Sequence, residues 1–77
     1  MATVLKAEIE LADEINSVMF DAISKAVEVR SISGAGSRLR RQFRDSPLYW
    51  IYHGGHHVAV HSHHHEHRLA IIREVQS

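Results

Sequence analysis

The chain has 77 residues, nine basic and nine acidic side chains, and no cysteine. A chain of this length forms a single domain, 1–77, and buries only about 60% of the surface that its unfolded form exposes, so its core is small. The absence of cysteine excludes disulfides, zinc–thiolate sites, iron–sulfur clusters and thiol catalysis, and the apolar fraction of 44% is typical of a globular domain.

The charges are unevenly distributed, although the formal net charge is zero. Residues 1–29 contain two lysines and six acidic residues, whereas residues 30–44 contain five arginines and no acidic residue. The sequence has no signal-peptide pattern, and none of its apolar runs approaches the roughly 18 residues of a membrane helix. We therefore expect a cytoplasmic protein with a basic central segment.

The first half of the chain predicts a strand followed by a helix. Apolar and charged residues alternate over residues 3–10, which is the pattern of a strand with one solvated face. From Ala12 the apolar residues recur at steps of three and four, which predicts a helix over residues 12–28. Asp13 and Glu14 then fall in its first turn, where carboxylates favour the positive end of the helix dipole.

The next segment predicts a flexible connection and a short helix. Residues 27–33 are compatible with the end of the first helix or with a short strand. The Gly/Ser-rich residues 33–37 predict a linker, after which Ser37 is a candidate N-cap for a helix over residues 38–44. Pro47 prevents this helix from continuing.

Residues 48–75 predict a three-stranded antiparallel meander. The pair Gly54-Gly55 between two strand-like runs indicates a tight hairpin. This hairpin assigns the following residues to a core-facing side: Tyr49, Ile51, Val58 and Val60. It assigns these to the opposite side: Trp50, Tyr52, His57 and His61. Residues 68–75 are apolar on both faces, as in a central strand, with a closing helix as the alternative. The predicted fold is α+β, with an N-terminal strand and a C-terminal meander packed on one long and one short helix.

Eight histidines lie between His53 and His67, and they are the most unusual feature of the sequence. Neutral imidazole is a common ligand of zinc, nickel and copper. If the strand continues, residues spaced by two project from one face. If the segment is helical, His57 and His61 form the chelating pair, with His64 or His65 one turn further on. Glu66 is a candidate oxygen ligand, or a hydrogen-bond acceptor that fixes the tautomer of a metal-bound imidazole. The candidate metal ligands are His57, His61, His63, His65 and His67.

The sequence is also compatible with two other interpretations of the histidines. Mutual repulsion among protonated imidazoles would make the cluster respond to mild acidification. Alternatively, the histidines lie in a solvated loop that contacts a partner or has no specific role. A bound metal would cross-link a small core that has no disulfide, which favours the metal interpretation.

Two local resemblances accompany these interpretations. The segment His61-Ser62-His63-His64-His65-Glu66-His67, followed by an apolar strand, resembles the metal-binding strand pair of nickel-responsive repressors of the NikR family. That resemblance implies histidine ligands, one of them contributed across a subunit interface, although this chain lacks the family's cysteine ligand and DNA-binding ribbon. The element Gly54-Gly55-His56-His57 resembles the Gly-x-His-His element of small HicA-type ribonuclease toxins, which implies histidine-dependent RNA cleavage.

The arginines of the central segment form a second candidate site. Guanidinium groups bind phosphates and carboxylates in a forked geometry, so this cluster suits an anionic partner or a nucleic acid. A solvated face that pairs with the acidic first helix is the structural alternative. The candidate partner-binding residues are Arg38, Arg40, Arg41 and Arg44.

These observations lead to a ranked set of functional hypotheses. The first is a small, self-associating metal-binding or metal-sensing protein of the zinc, nickel or copper class. The second is an interaction or inhibitor protein that binds a macromolecule through its arginines or its His-rich edge. A histidine-dependent ribonuclease is a minor third hypothesis.

Overall fold

A computed structural model describes residues 5–63 and 67–75. The described chain forms two helices and a four-stranded antiparallel sheet, which confirms the predicted α+β class. The elements in chain order are β1 (Ala7–Leu11), α1 (Ser17–Ala26), α2 (Ile32–Gln42), β2 (Tyr49–His53), β3 (His57–Ser62) and β4 (Arg68–Glu74).

The sheet has the strand order β1-β4-β3-β2, so the N-terminal strand pairs with the last strand of the meander. Strands β1 and β2 are its two edges. Both helices lie on one face of the sheet, where α2 packs on β2, β3 and β4, and α1 packs on α2. The core between the helices and the sheet is formed by thirteen buried residues that include Leu39, Val58 and Ile72. The other face of the sheet has no helix over it in the described chain.

Helix α1 begins later and ends earlier than the predicted helix over residues 12–28. Its N-cap is Asn16, whose side-chain oxygen accepts a hydrogen bond of 2.8 Å from the backbone N–H of Met19. This cap satisfies a free donor of the first turn, so the helix starts at Ser17, and Asp13 and Glu14 precede it. Of the predicted apolar stripe, Met19, Ala22, Ile23 and Ala26 are buried, whereas Val18 is exposed. Strand β1 likewise begins at Ala7 within the predicted span 3–10, of which residues 3 and 4 lie outside the described chain.

The predicted linker over residues 33–37 is wrong, because these residues belong to α2. Ser31, not Ser37, caps this helix by accepting a hydrogen bond of 3.1 Å from the N–H of Gly34. The glycine at 36 serves packing: a Cβ atom there would lie 2.7 Å from Cδ2 of His53 and 3.3 Å from a methyl group of Val58. The missing side chain therefore lets α2 approach β2 and β3 closely. As a result, the two helices are nearly equal in length, with ten and eleven residues.

A loop formed by Gly54 and Gly55 would pair Tyr52 with His57, whereas Tyr52 pairs with Ala59. The register of the β2–β3 hairpin is therefore shifted by two residues from the predicted one. The N–H of Gly54 donates to the carbonyl of His57 at 2.8 Å, so the turn centres on Gly55 and His56 instead of on the two glycines. An ideal Cβ at Gly54 would overlap the imidazole of His57, so this glycine gives the ring space. A shift of two residues leaves every side chain on its predicted face, because the side-chain period of a strand is two.

Strand β4 confirms the strand alternative for residues 68–75. It lies between β1 and β3, and four consecutive residues are buried. Burial on both faces is what a central strand requires. A register shift between Val60 and His61 marks a bulge near the end of this pairing, so His61 pairs with Arg68. The four buried residues are Leu69, Ala70, Ile71 and Ile72.

Two glycine substitutions test the packing of α2. Gly36→Ala should lower the free energy of unfolding by about 1–3 kcal/mol, because the new methyl group clashes with His53 and Val58. Gly34→Ala is the matched control in the same helix, where the nearest atoms lie at 3.4 Å. It should leave stability unchanged or raise it by up to about 1 kcal/mol, since alanine favours the helix. Urea unfolding measures both, and equal effects of the two substitutions would contradict the proposed close approach.

Candidate functional site

The open face of the sheet carries a row of rings along β2 and β3. Trp50 and Tyr52 project from β2 on the face opposite the helices, with exposed fractions of 38% and 49%. Ala59 of β3 pairs with Tyr52, so it lies on the same face of the sheet. His57 and His61, each two residues from Ala59 along the strand, project on that face as well. This arrangement confirms the face that the alternating pattern predicts for all four rings.

The rings form two aromatic–histidine contacts. His61 lies directly opposite Trp50 in the ladder, and their rings stack with centroids 4.2 Å apart at an interplanar angle of 11°. Tyr52 and His57 are tilted at 36°, with centroids 5.6 Å apart. Burial, and secondarily the positive charge of Arg68, lowers the pKa of His61 below its ordinary value of 6.5. His61 is therefore neutral at pH 7, which is the form of imidazole that binds metals.

Three of the predicted metal ligands lie around the end of the β3–β4 hairpin. The N–H of Ser62 donates to the carbonyl of His67 at 2.8 Å, which closes the hairpin. Strand β3 ends at Ser62, and residues 64–66, where the expected continuation of the strand falls, lie outside the described residues. The N–H of His63 donates to the carbonyl of Leu48 at 3.0 Å, on the β2 side of the hairpin. The fourth predicted ligand in this segment, His65, lies outside the described residues.

His67 lies on the β1 side of the same hairpin end. Its Nε2 atom is 3.4 Å from a carboxylate oxygen of Glu14, in the segment between β1 and α1. His61, His63 and His67 thus flank one turn but do not converge. Within residues 5–63 and 67–75, no three histidine or acidic side chains are close enough together to hold a metal ion.

The other described histidines, His53, His56 and His57, are remote from this turn. His57 begins β3, four residues before His61, which corresponds to about 13 Å along a strand. One ion cannot bind both, because each ligand atom must lie about 2 Å from the metal. His56 is next to Glu74, with 3.6 Å between Nδ1 and a carboxylate oxygen. The Nε2 atom of His53 is buried and has no hydrogen-bond partner in the described chain.

The predicted arginine cluster is divided between two sides of α2. Arg38 and Arg41 line a groove with Lys25 of α1, and Arg38 donates a hydrogen bond of 2.9 Å to the carbonyl of Lys25. Arg40 of α2 and Arg44, which follows the end of α2 at Gln42, line a different groove next to β2. None of the four makes an ion pair with another described residue. The second groove is lined by Arg40, Phe43, Arg44, Ser46, Tyr49, Trp50, Ile51 and His63.

The opposite edge of the sheet is acidic. Arg73 of β4 donates a hydrogen bond of 2.6 Å to Glu10, and lies 3.8 Å from a carboxylate oxygen of Glu8. The hydrogen bond and charge of Arg73 lower the pKa of Glu10. The alternation of acidic and apolar residues in β1 is the only sequence signal of this cluster. It could not be predicted from that signal, because the partner strand of β1 was not predicted.

Comparison with protein families, with curated proteins and with solved structures gives no match to this chain. The geometry of the described residues is therefore the basis for the functional proposals that follow. Neither helix has the length and apolar character needed to cross a bilayer, within the part of the chain that the structure describes.

The lowered pKa of His61 predicts a pH-dependent loss of stability. Protonation favours the unfolded chain wherever the folded pKa lies below the unfolded value, so stability is lost as the pH falls below about 6.5. Between pH 7.5 and 5.5, measured with a chelator present, the melting temperature should fall more for the native protein than for His61→Gln. An equal fall in both proteins would show that His61 is not responsible.

Proposed function

We propose that the end of the β3–β4 hairpin binds a divalent transition-metal ion of the zinc, nickel or copper class through its histidines. The observation that supports this most directly is the hairpin closure between Ser62 and His67, which brings His67 back beside the end of β3. The sequence places His64 and His65 between these two anchors. The proposed ligands are His61, His63, His65 and His67, and His57 is left out because it lies about 13 Å from His61 by strand rise.

The chemistry of these side chains suits the proposed class of metal. Imidazole nitrogen binds zinc, nickel and copper, and it must be deprotonated to do so. Glu14 next to His67 is positioned as an outer acceptor, because a metal-bound histidine commonly donates its other ring N–H to a carboxylate. A metal at this position would join the β2, β3 and β1 sides of the sheet at one end. Such a link would stabilise a small domain that has no disulfide.

The ribonuclease hypothesis has less support from the geometry. His56 and His57 lie at the β2–β3 turn, with the side chain of His56 directed to Glu74. Arg73 is the cross-strand neighbour of His57, but its guanidinium contacts Glu8 and Glu10. An arginine that is paired with two carboxylates is poorly available to a substrate phosphate.

The metal proposal predicts a stoichiometric ion whose removal destabilises the fold. Untagged protein purified without a metal column should contain about one zinc, nickel or copper ion per binding unit by mass spectrometry. Its melting temperature should fall when the ion is removed by a chelator, because a ligand that binds only the folded state stabilises it. The double substitution His61→Ala with His63→Ala should abolish tight binding and the chelator effect together.

The matched control removes two histidines from the other hairpin. His56→Ala with His57→Ala should retain the metal and the chelator effect, since these residues lie outside the proposed ligand set. The proposal would be overturned if the protein binds several ions loosely, if both double variants lose this binding equally, and if the ions do not change the melting temperature. His61→Gln with His63→Gln, in which a polar side chain is retained at both positions, separates loss of ligands from loss of the Trp50 contact.

A further inference from the structure

The charged side chains of the two sheet edges have opposite signs. The β1 edge carries Glu8 and Glu10, whereas Arg40 of α2 and Arg44, just after this helix, lie beside the β2 edge. Arg73 compensates the acidic edge, but no described acidic side chain pairs with Arg40 or Arg44. The neutral net charge therefore conceals a local basic groove along one edge of the sheet.

The basic groove is continuous with the ring row of the open face. Trp50 lines the groove and also stacks on His61, so it belongs to both surfaces. Tyr52 follows two residues later on the same face, about 6.6 Å further along the strand. Rings at this spacing and guanidinium groups at their side form a surface that is neither purely apolar nor purely charged.

We propose that this surface binds single-stranded nucleic acid, with Trp50 and Tyr52 stacking on bases and with Arg40 and Arg44 contacting the phosphate backbone. Proteins that bind single strands combine a positively charged groove with aromatic side chains on which successive bases stack. Guanidinium groups suit phosphate oxygens because their fork of N–H donors matches the oxygen geometry. Aromatic side chains on the face of a β-sheet bind unstacked bases in known RNA-binding domains.

A single strand fits this surface better than a duplex does. Bases can stack on exposed protein rings only when they are not stacked and paired within a helix. A duplex would offer only its phosphates, and the basic groove contributes two arginines on one side of the rings. The proposal is independent of the metal proposal, because neither Arg40, Arg44, Trp50 nor Tyr52 is a proposed ligand.

The sole tryptophan of the chain makes the proposal directly measurable. Titration of untagged protein with oligouridylate or oligodeoxythymidylate of about 12 nucleotides should quench the fluorescence of Trp50. The titration is made at low salt with a chelator present, so that failure of metal binding does not affect the result. Fluorescence anisotropy of the same oligonucleotides, carrying a dye label, gives the affinity. A higher affinity for oligouridylate than for oligodeoxythymidylate would indicate RNA as the natural ligand, and the reverse would indicate DNA.

Two pairs of arginine substitutions, in α2 and in the turn that follows it, provide the decisive comparison. Arg40→Gln with Arg44→Gln should weaken binding at least about tenfold and reduce the slope of log K against log salt by about 1.4, as expected for two lost phosphate contacts. Arg38→Gln with Arg41→Gln removes the same charge from the other side of α2 and should change the affinity less than about threefold. Tyr52→Ala should weaken binding without changing the salt slope.

Three results would overturn the proposal. Equal losses in the two arginine pairs would indicate nonspecific attraction, and equal competition by a duplex of the same length would exclude stacking on bases. Absence of both quenching and anisotropy change would exclude nucleic acid and leave a protein as the candidate occupant of the groove. Circular dichroism of each variant confirms that the fold is retained.

Discussion

The close contact between α2 and the sheet is the constraint on which the rest of this small structure depends. Gly36 allows the helix to approach β2 and β3 so closely that Val58 and Val60 are fully buried beneath it. Helix α1 then packs on α2, and its apolar stripe completes a two-layer core with Met19 and Ile23. Because dispersion and apolar burial depend on such close packing, a helix held further from the sheet would leave the core underpacked.

This one-sided arrangement also determines where function is possible. With both helices on one face, the other face remains available for side chains that contact solvent or a ligand. The β2–β3 ladder places aromatic and histidine rings there, while the C-terminal part of α2 and the turn after it add arginines at the β2 edge. The described histidines of the β3–β4 hairpin, His61, His63 and His67, lie at one end of the sheet. Metal binding and nucleic-acid binding, as proposed, would therefore use neighbouring surfaces, which meet at His63 in the basic groove and at the contact of Trp50 with His61.

Much of the fold was predictable from the sequence because alternation and helical periodicity report burial directly. The faces of β2 and β3, the apolar stripe of α1 and the central position of β4 follow from these patterns. The linker over residues 33–37 was predicted wrongly, because a glycine that permits close packing and a glycine that permits flexibility look the same in a sequence. The division of the arginines could not be anticipated, because it depends on where α2 ends: Arg40 belongs to the helix, whereas Arg44 follows it. The placement of the histidines depended on where β3 ends, which is fixed by the backbone hydrogen bonds of Ser62 and His63.

The strand order has a consequence for how the protein forms during synthesis. Strand β4 lies between β1 and β3, yet it is the last of the four strands to leave the ribosome. Until residues 68–74 emerge, β1 has no partner and the inner edge of β3 exposes unpaired backbone groups next to apolar side chains. Pairing of β1 with β4 also closes a loop of some sixty residues, and contacts so distant in sequence form slowly. A nascent chain would thus present an aggregation-prone edge until β4 emerges and pairs with both neighbours.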